Sequence, residues 1–331
     1  MTARRSFLVI CAVALPVWPL CALAQVAEKT YRIGYLAPGY ESEERKGSFG
    51  LGVLVRNLRA LGYVEGRNLI VEARFAEGSP QKLAPLAAEL VRSRPDVIVV
   101  PNAGLAEKIL EHTTTIPVVA LAAGQLEAEK AVQSLARPGG NLTGMQLYSP
   151  ETMGKRLQLL QDVVPGLRRV AVLRGVPFDG PGYELYRGAT DRAAQQLGIR
   201  VRYVQFQTPE DLDRLFEEMA RERDQGLLVW GNPHLIQHSD KIADLCIRYR
   251  MPSVSDIGQV SRSLLSYTVD IQDVLREGAS YVDRILKGAK AGELPIGQAK
   301  TFRLIVNAGT AKAIGLTIPQ PLLLRADEVI Q

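Results

Sequence analysis

The chain spells one order of elements twice. In the first half Leu61-Gly62 closes a helical stretch, Asn68 to Arg74 reads as a strand, Ser79-Pro80 opens a helix, Val97 to Val100 is a strand, and Pro101-Asn102 follows. In the second half Leu197-Gly198, Ile199 to Phe206, Thr208-Pro209, Leu227 to Trp230 and Gly231-Asn232-Pro233 come in the same order. From capping hydroxyl to asparagine is 23 residues in one half (79 to 102) and 24 in the other (208 to 232). A doubled strand–helix–strand unit implies an α/β fold of two similar doubly wound parallel-sheet lobes, with right-handed crossovers. The changeover lies near Tyr148 to Glu151.

The strands read as continuous apolar runs rather than alternating ones: Ile33 to Leu36, Val97 to Val100, Val118 to Leu121, Val170 to Leu173 and Leu227 to Trp230. Continuous runs fit strands covered on both faces, as in a parallel sheet. Between them lie amphipathic helices. Leu54, Leu58 and Leu61 recur at i, i+4, i+7, as do Met153, Leu157 and Leu160, and Leu212, Leu215, Phe216 and Met219 fill a fuller stripe. Ser79-Pro80, Ser149-Pro150 and Thr208-Pro209 each set a capping hydroxyl before a proline at the first helical position. Gly62, Gly198 and Gly288 suit left-handed positions just beyond helix ends.

Composition agrees with two domains. The chain has 331 residues, 47% hydrophobic and 23% charged, a globular balance at a length of about two domains. A formal charge of +5 with no block of five Lys/Arg gives no reason to expect a nucleic-acid partner.

Met1 to Ala24 reads as an export signal. Arg4 and Arg5 form the positive region, Phe7 to Leu15 the apolar region, and Ala22-Leu23-Ala24 the cleavage site. Arg4-Arg5-Ser6-Phe7-Leu8 fits a twin-arginine signal, and an ordinary Sec signal fits equally. The apolar run is short and interrupted by Pro16 and Pro19, so no membrane insertion of the mature chain is expected. The expected location is the periplasm. Cys11 and Cys21 leave with the signal, and Cys246, in a helical pattern, reads as buried filler.

A search for catalytic motifs returns little. There are three histidines, no Gly-x-Ser-x-Gly elbow, no phosphate loop, and no G-x-G-x-x-G after a strand. His234 and His238, with Asp240 near and His112 in the other half, have the spacing of zinc ligands, but the pair lacks its further ligands and reads better as solvated histidines. No metal, cofactor or catalytic residue is expected.

Open parallel sheets bind ligands beyond the carboxyl ends of their strands. In the first half those ends are Pro38-Gly39-Tyr40, Asn102-Ala103-Gly104 and Ala122-Ala123. In the second half they are Arg174, Asn232-Pro233, Ser255-Asp256, and Tyr267 with Asp270. Small residues let backbone N–H groups approach a ligand. Tyr40, Tyr148, Phe178, Tyr183 and Tyr267 are candidate walls for an apolar group. Arg174 ends an apolar strand, where a guanidinium can hold a carboxylate in two-pronged fashion or pair with Asp179 or Asp256. Asp256 and Asp270 can hold an ammonium, and Asp270 equally suits the cap of the following helix.

Several segments carry a family resemblance: Arg32-Ile33-Gly34-Tyr35-Leu36, Leu61-Gly62-Tyr63-Val64-Glu65-Gly66-Arg67-Asn68, Ser134-Leu135-Ala136-Arg137-Pro138-Gly139-Gly140-Asn141-Leu142-Thr143-Gly144, Gly154-Lys155-Arg156-Leu157, Val282-Asp283-Arg284-Ile285-Leu286-Lys287-Gly288-Ala289 and Thr310 to Pro319. Together they resemble ABC transporter substrate-binding proteins of the tryptophan/tyrosine-binding (TrpX-like) group. The resemblance implies a type I periplasmic-binding-protein fold, two α/β lobes joined by a three-segment hinge. It places the N-terminal lobe over 29–148 plus about 271–290 and the C-terminal lobe over 149–270 plus about 298–331. It also implies permease and ATPase subunits as partners and no chemistry by this subunit. One departure stands out: where such proteins commonly carry a Trp-Asn-Pro-like turn, this chain has Arg174-Gly175-Val176-Pro177-Phe178. The resemblance therefore does not carry an aromatic amino acid over as the ligand.

The leading expectation is an exported solute-binding protein of an ABC importer, holding an amino acid or an aromatic or carboxylate compound between two lobes. The alternatives are an exported enzyme on a two-lobed scaffold and a ligand sensor that docks on a receptor.

Overall fold

The computed structural model describes residues 29–47, 49–124, 126, 130–147, 151–175, 181–231, 233–256 and 262–331. The export signal over 1–24 and the Ser149-Pro150 helix start lie outside them.

Residues 31–146 build one sheet from β1 (Tyr31–Ala37), β2 (Leu69–Phe75), β3 (Val97–Val100), β4 (Val118–Ala123) and β5 (Leu142–Gln146). A short late strand, β11 (Gly297–Gln298), joins its edge, and the order is β11-β5-β4-β3-β1-β2 with every pairing parallel. The second sheet holds β6 (Arg169–Arg174), β7 (Arg200–Gln205), β8 (Gly226–Val229), β9 (Ser253–Ser255) and β10 (Leu265–Val269), followed by β12 (Phe302–Asn307) and β13 (Glu328–Ile330). Its order is β13-β12-β10-β9-β8-β6-β7. Strands β1 to β5 and β6 to β10 thus share the order 2-1-3-4-5, which is the doubled pattern of the sequence in three dimensions. The second sheet departs from the all-parallel expectation at one pairing, because β12 runs antiparallel to β10.

Apolar side chains alternate between the two faces of each sheet, and both faces are covered. Ile33, Tyr35 and Ala37 pack on one side with α2 (Leu51–Ala60) and α10 (Ile271–Leu286), while Leu36, Ile98 and Val100 pack on the other with α3 (Leu83–Arg92) and α4 (Ala103–Leu110). In the second sheet Val170 and Val172 meet α5 (Glu151–Val163) and α6 (Pro181–Leu197), and Ala171 and Leu173 meet α7 (Pro209–Arg221) and α9 (Ser239–Arg248). This double burial is why the strands read as unbroken apolar runs.

Helix boundaries show where local rules held. Gly62, Gly198 and Gly288 take φ of +96°, +67° and +103°. The turn at Gly62 ends α2 at Ala60, so Leu61 leaves the buried stripe and is 43% exposed. Ser79 does not cap: its hydroxyl donates to Gln81, and the chain makes a 3-10 turn over Pro80–Lys82 before α3. At α7 the cap is real, with the Asp211 carboxylate accepting from the Thr208 N–H at 3.0 Å and the Gln207 N–H at 3.1 Å.

The chain passes between the sheets three times: from β5 into α5, which packs on β8, β9 and β10; from β10 into α10, which packs on β3, β4 and β5; and from β11 into β12. The third passage is bonded to both others. The Ala299 N–H donates to Gln146 O at 3.1 Å, and the Asp270 N–H donates to Thr301 O at 2.9 Å. Among the described residues no helix is long and apolar enough to cross a membrane.

Candidate functional site

In the 2-1-3-4-5 order the chain leaves β1 for β2 on one side and crosses back from β2 to β3 on the other, and β6, β7 and β8 repeat this. A crevice opens at such a switch point beyond the carboxyl ends of the strands. The first sheet brings Pro38-Gly39-Tyr40, after β1, and Asn102-Ala103-Gly104, after β3, to its switch point. The second brings Arg174, at the end of β6, and Trp230-Gly231, after β8, to the equivalent place.

The first sheet's strand ends carry neutral side chains at Tyr40 and Asn102, while Gly39 lies beside the Glu43 and Glu44 carboxylates. Tyr40 is 52% exposed and precedes α1 (Glu41–Lys46). Asn102 caps α4, its side-chain oxygen accepting from the Leu105 N–H at 3.0 Å, so that oxygen serves the helix rather than a ligand. Ala122 and Ala123 are buried within β4, where the Ala122 N–H donates to Pro101 O and Ala123 O accepts from the Leu147 N–H. They fit as close packing behind the site. Gln146, at the end of β5, is buried and takes the Leu126 N–H on Oε1 at 3.1 Å.

The second sheet's strand ends carry Arg174, closing β6, and Asp256, just beyond β9. The Arg174 guanidinium lies 4.5 Å over the Tyr183 ring. That ring meets Trp230 edge-on at 5.8 Å, and Tyr186 and Tyr203 stand 5.6 and 6.0 Å from the same indole. The Trp230 Nε1–H donates to Met153 Sδ at 2.9 Å. Tyr183 and Trp230 therefore form a packed aromatic group, with Arg174 stacked on its outer ring.

Asp256 is buried beyond β9, beside the fully buried Ser255. Its Oδ1 accepts from the Gly231 N–H at 2.7 Å, linking the ends of β8 and β9. Its ion partner is Arg156 of α5, with Nη1 3.9 Å from Oδ2. Of the two pairings the sequence offered Arg174, Asp256 is taken by Arg156 instead, and Asp179 lies outside the described residues. Burial pushes the Asp256 carboxyl up, and the Arg156 charge and the Gly231 N–H act in the opposite sense. Arg156 also donates from Nε to Tyr267 O at 3.0 Å and from Nη1 to Thr152 Oγ1 at 3.1 Å. The Tyr267 ring itself stacks on Phe302 at 5.4 Å.

Asp270 belongs to α10. Its Oδ1 accepts from the Gln272 and Asp273 N–H groups, which is the helix-cap alternative of the sequence. Tyr148, Phe178 and Asn232 lie outside the described residues, and Pro233 opens α8 (Pro233–Gln237). Sequence reading missed the working part of Arg156, Thr152 and Gln146. A signal for the first was present, because Arg156 falls on the Met153–Leu157–Leu160 stripe, where an arginine is out of place.

The zinc-like spacing dissolves in three dimensions. His234 lies in α8 and stacks on Phe206 at 4.6 Å, while His238 sits at the cap of α9, and the imidazoles meet edge to face at 5.1 Å. Among the described residues no group of three or more His, Cys, Asp or Glu side chains is placed to hold a metal ion.

A family model described as ABC transporter substrate binding protein matches residues 51–330. A tyrosine-binding protein of Clostridioides difficile (strain R20291) is 19% identical over 264 residues, which is 79% of this chain and 75% of that protein. Among solved structures, a conserved domain protein from Vibrio cholerae superposes with a TM-score of 0.77 at 23% identity, covering 91% of this chain and 100% of the other. The ABC domain from Streptococcus pneumoniae in complex with L-Trp gives 0.76 at 19% identity with the same coverage. The two-sheet architecture is that of type I periplasmic binding proteins, and the chain belongs to the ABC transporter substrate binding protein family.

Proposed function

We propose that this solute-binding protein of an ABC transporter captures a small zwitterionic or carboxylate-bearing molecule, an amino acid foremost, between two lobes that close about the three passages. Arg174 takes the carboxylate, Asp256 takes an ammonium, and Tyr40 and Tyr183 flank the apolar part. The lobes are those of the sequence reading, 29–148 plus about 271–290 and 149–270 plus about 298–331. The exported chain then delivers its cargo to permease and ATPase subunits, chemically unchanged.

The observation that carries this reading is the placing of Arg174 at the end of β6 and of Asp256, paired with Arg156 of α5, beyond β9 of the same sheet. A charged ligand end is held by a fixed counter-charge on one lobe, and the second lobe adds hydrogen bonds when it closes. Only contacts made in the closed arrangement shift the equilibrium toward it. The tyrosine-binding relative and the L-Trp complex support an amino acid as cargo.

The test is a screen of L-tyrosine, L-tryptophan, other amino acids and aromatic acids by Trp230 emission and melting temperature. A ligand at one hundred times its Kd adds about 2.7 kcal/mol of stability. A screen in which neither signal moves overturns the ligand class.

A further inference from the structure

Arg156 is the bulkiest of the fully buried side chains, in a helix stripe otherwise made of Met153, Leu157 and Leu160. A guanidinium does not shed its charge, so burying one requires partners. Its partners come from three elements: Thr152 in the first turn of α5, the Tyr267 carbonyl in β10, and Asp256 beyond β9. Two of these adjoin passages between the sheets, since α5 follows the first passage and β10 leads into the second. Asp256 in turn grips the Gly231 N–H at the switch point.

We propose that Arg156 is the positioning residue of the binding site: it keeps Asp256 a carboxylate at the end of β9 and fastens that charge to the roots of two passages, so that the floor of the site and the hinge move as one body. This rests on the reading of Asp256 as the ammonium partner. A buried carboxyl without a cation takes up a proton, and a neutral acid no longer pairs with an ammonium. The groups facing the Asp256 carboxylate are Arg156 from α5, the Gly231 N–H beyond β8 and its own backbone N–H. Arg174 lies over Tyr183 at the end of β6. His234 and His238 lie against Phe206, whose core is on the opposite face of the sheet from that of Trp230.

The test uses the ligand-free full chain carrying Trp18→Phe, so that emission reports Trp230, which adjoins Gly231. Emission is titrated from acid to neutral pH. Arg156→Met is expected to raise the midpoint by about one pH unit or more, Arg156→Lys to return it, and Arg156→Met/Asp256→Asn to abolish it. Equal midpoints in the parent and the methionine variant overturn the proposal, as does a transition that survives in the double variant. Thermal unfolding gives a second measurement if the methionine variant is poorly folded: Asp256→Asn should be less stable than the double variant, and simple additivity overturns the pairing. With L-tyrosine as probe, Arg156→Met should weaken binding about tenfold, with recovery in the lysine variant. If the parent binds neither L-tyrosine nor L-tryptophan, the amino-acid reading falls, while the emission midpoints still decide the role of Arg156.

Discussion

Arg174 and Cys246 show how burial and neighbours assign roles to single side chains. Arg174 is held by the Tyr183 face, which pre-orients a planar group suited to two-pronged carboxylate binding. Arg174→Ala is expected to raise the Kd for a carboxylate ligand about tenfold to a hundredfold, measured by calorimetry; unchanged affinity would remove Arg174 from the site. Cys246 is buried in α9, and burial pushes its thiol up to about 12. A thiol without thiolate character is inert. A maleimide reagent should leave Cys246 unlabelled in the native protein at neutral pH and label it in denaturant. Native labelling would contradict the filler role, which was legible from its place in an apolar helical pattern.

At the scale of elements, caps and close strand contacts set the boundaries. Asp211 is lowered from its ordinary value because the Thr208 and Gln207 N–H groups, and then Arg214, favour its charged form. A lowered folded value means that its stabilisation is complete above the unfolded value and vanishes as pH falls through the folded one. Asp211→Asn should therefore lower the melting temperature at neutral pH and narrow its gap to the parent in acid. A gap that widens in acid would rule out the cap. In β5, Gly144 has φ +147° and sits opposite Ala120 of β4, where an added Cβ would fall 2.1 Å from the Ala120 carbonyl oxygen. Gly144→Ala combines backbone strain with a clash that only strand separation relieves, and should cost on the order of 3 kcal/mol in urea unfolding. A near-neutral result would mean that the two strands part easily.

At the scale of the whole molecule, two sheets with separate cores are joined by passages bonded to one another. The Lys300–Glu277 pair, at 3.6 Å, and a cavity of about 380 Å³ between α10 and the third passage leave that junction lightly packed. Few buried apolar contacts at a junction favour motion there over motion within the cores. X-ray scattering should show a smaller radius of gyration on addition of a ligand found in the screen, with unchanged far-ultraviolet circular dichroism. Identical scattering with and without that ligand would exclude closure.

The sequence by itself determined the strands, the helices between them and their repetition, because periodicity, caps and left-handed glycines act within a few residues of one another. The run from Val97 to Val100 is β3 as read, and Asn102 follows it as a helix cap. It also placed Arg174 and Asp256 at strand ends, since connectivity alone carries them there, whereas Tyr267 falls in the middle of β10, opposite Leu304 of β12. Only the tertiary structure decided which groups meet. Arg156 bonds a carbonyl 111 positions away, and Trp230 takes Met153 from 77 positions away. Pairings at that distance depend on how helices lie across sheets, and no local pattern encodes that geometry. The antiparallel β12 was hidden for the same reason, because its partner is chosen by sheet closure rather than by its own residues.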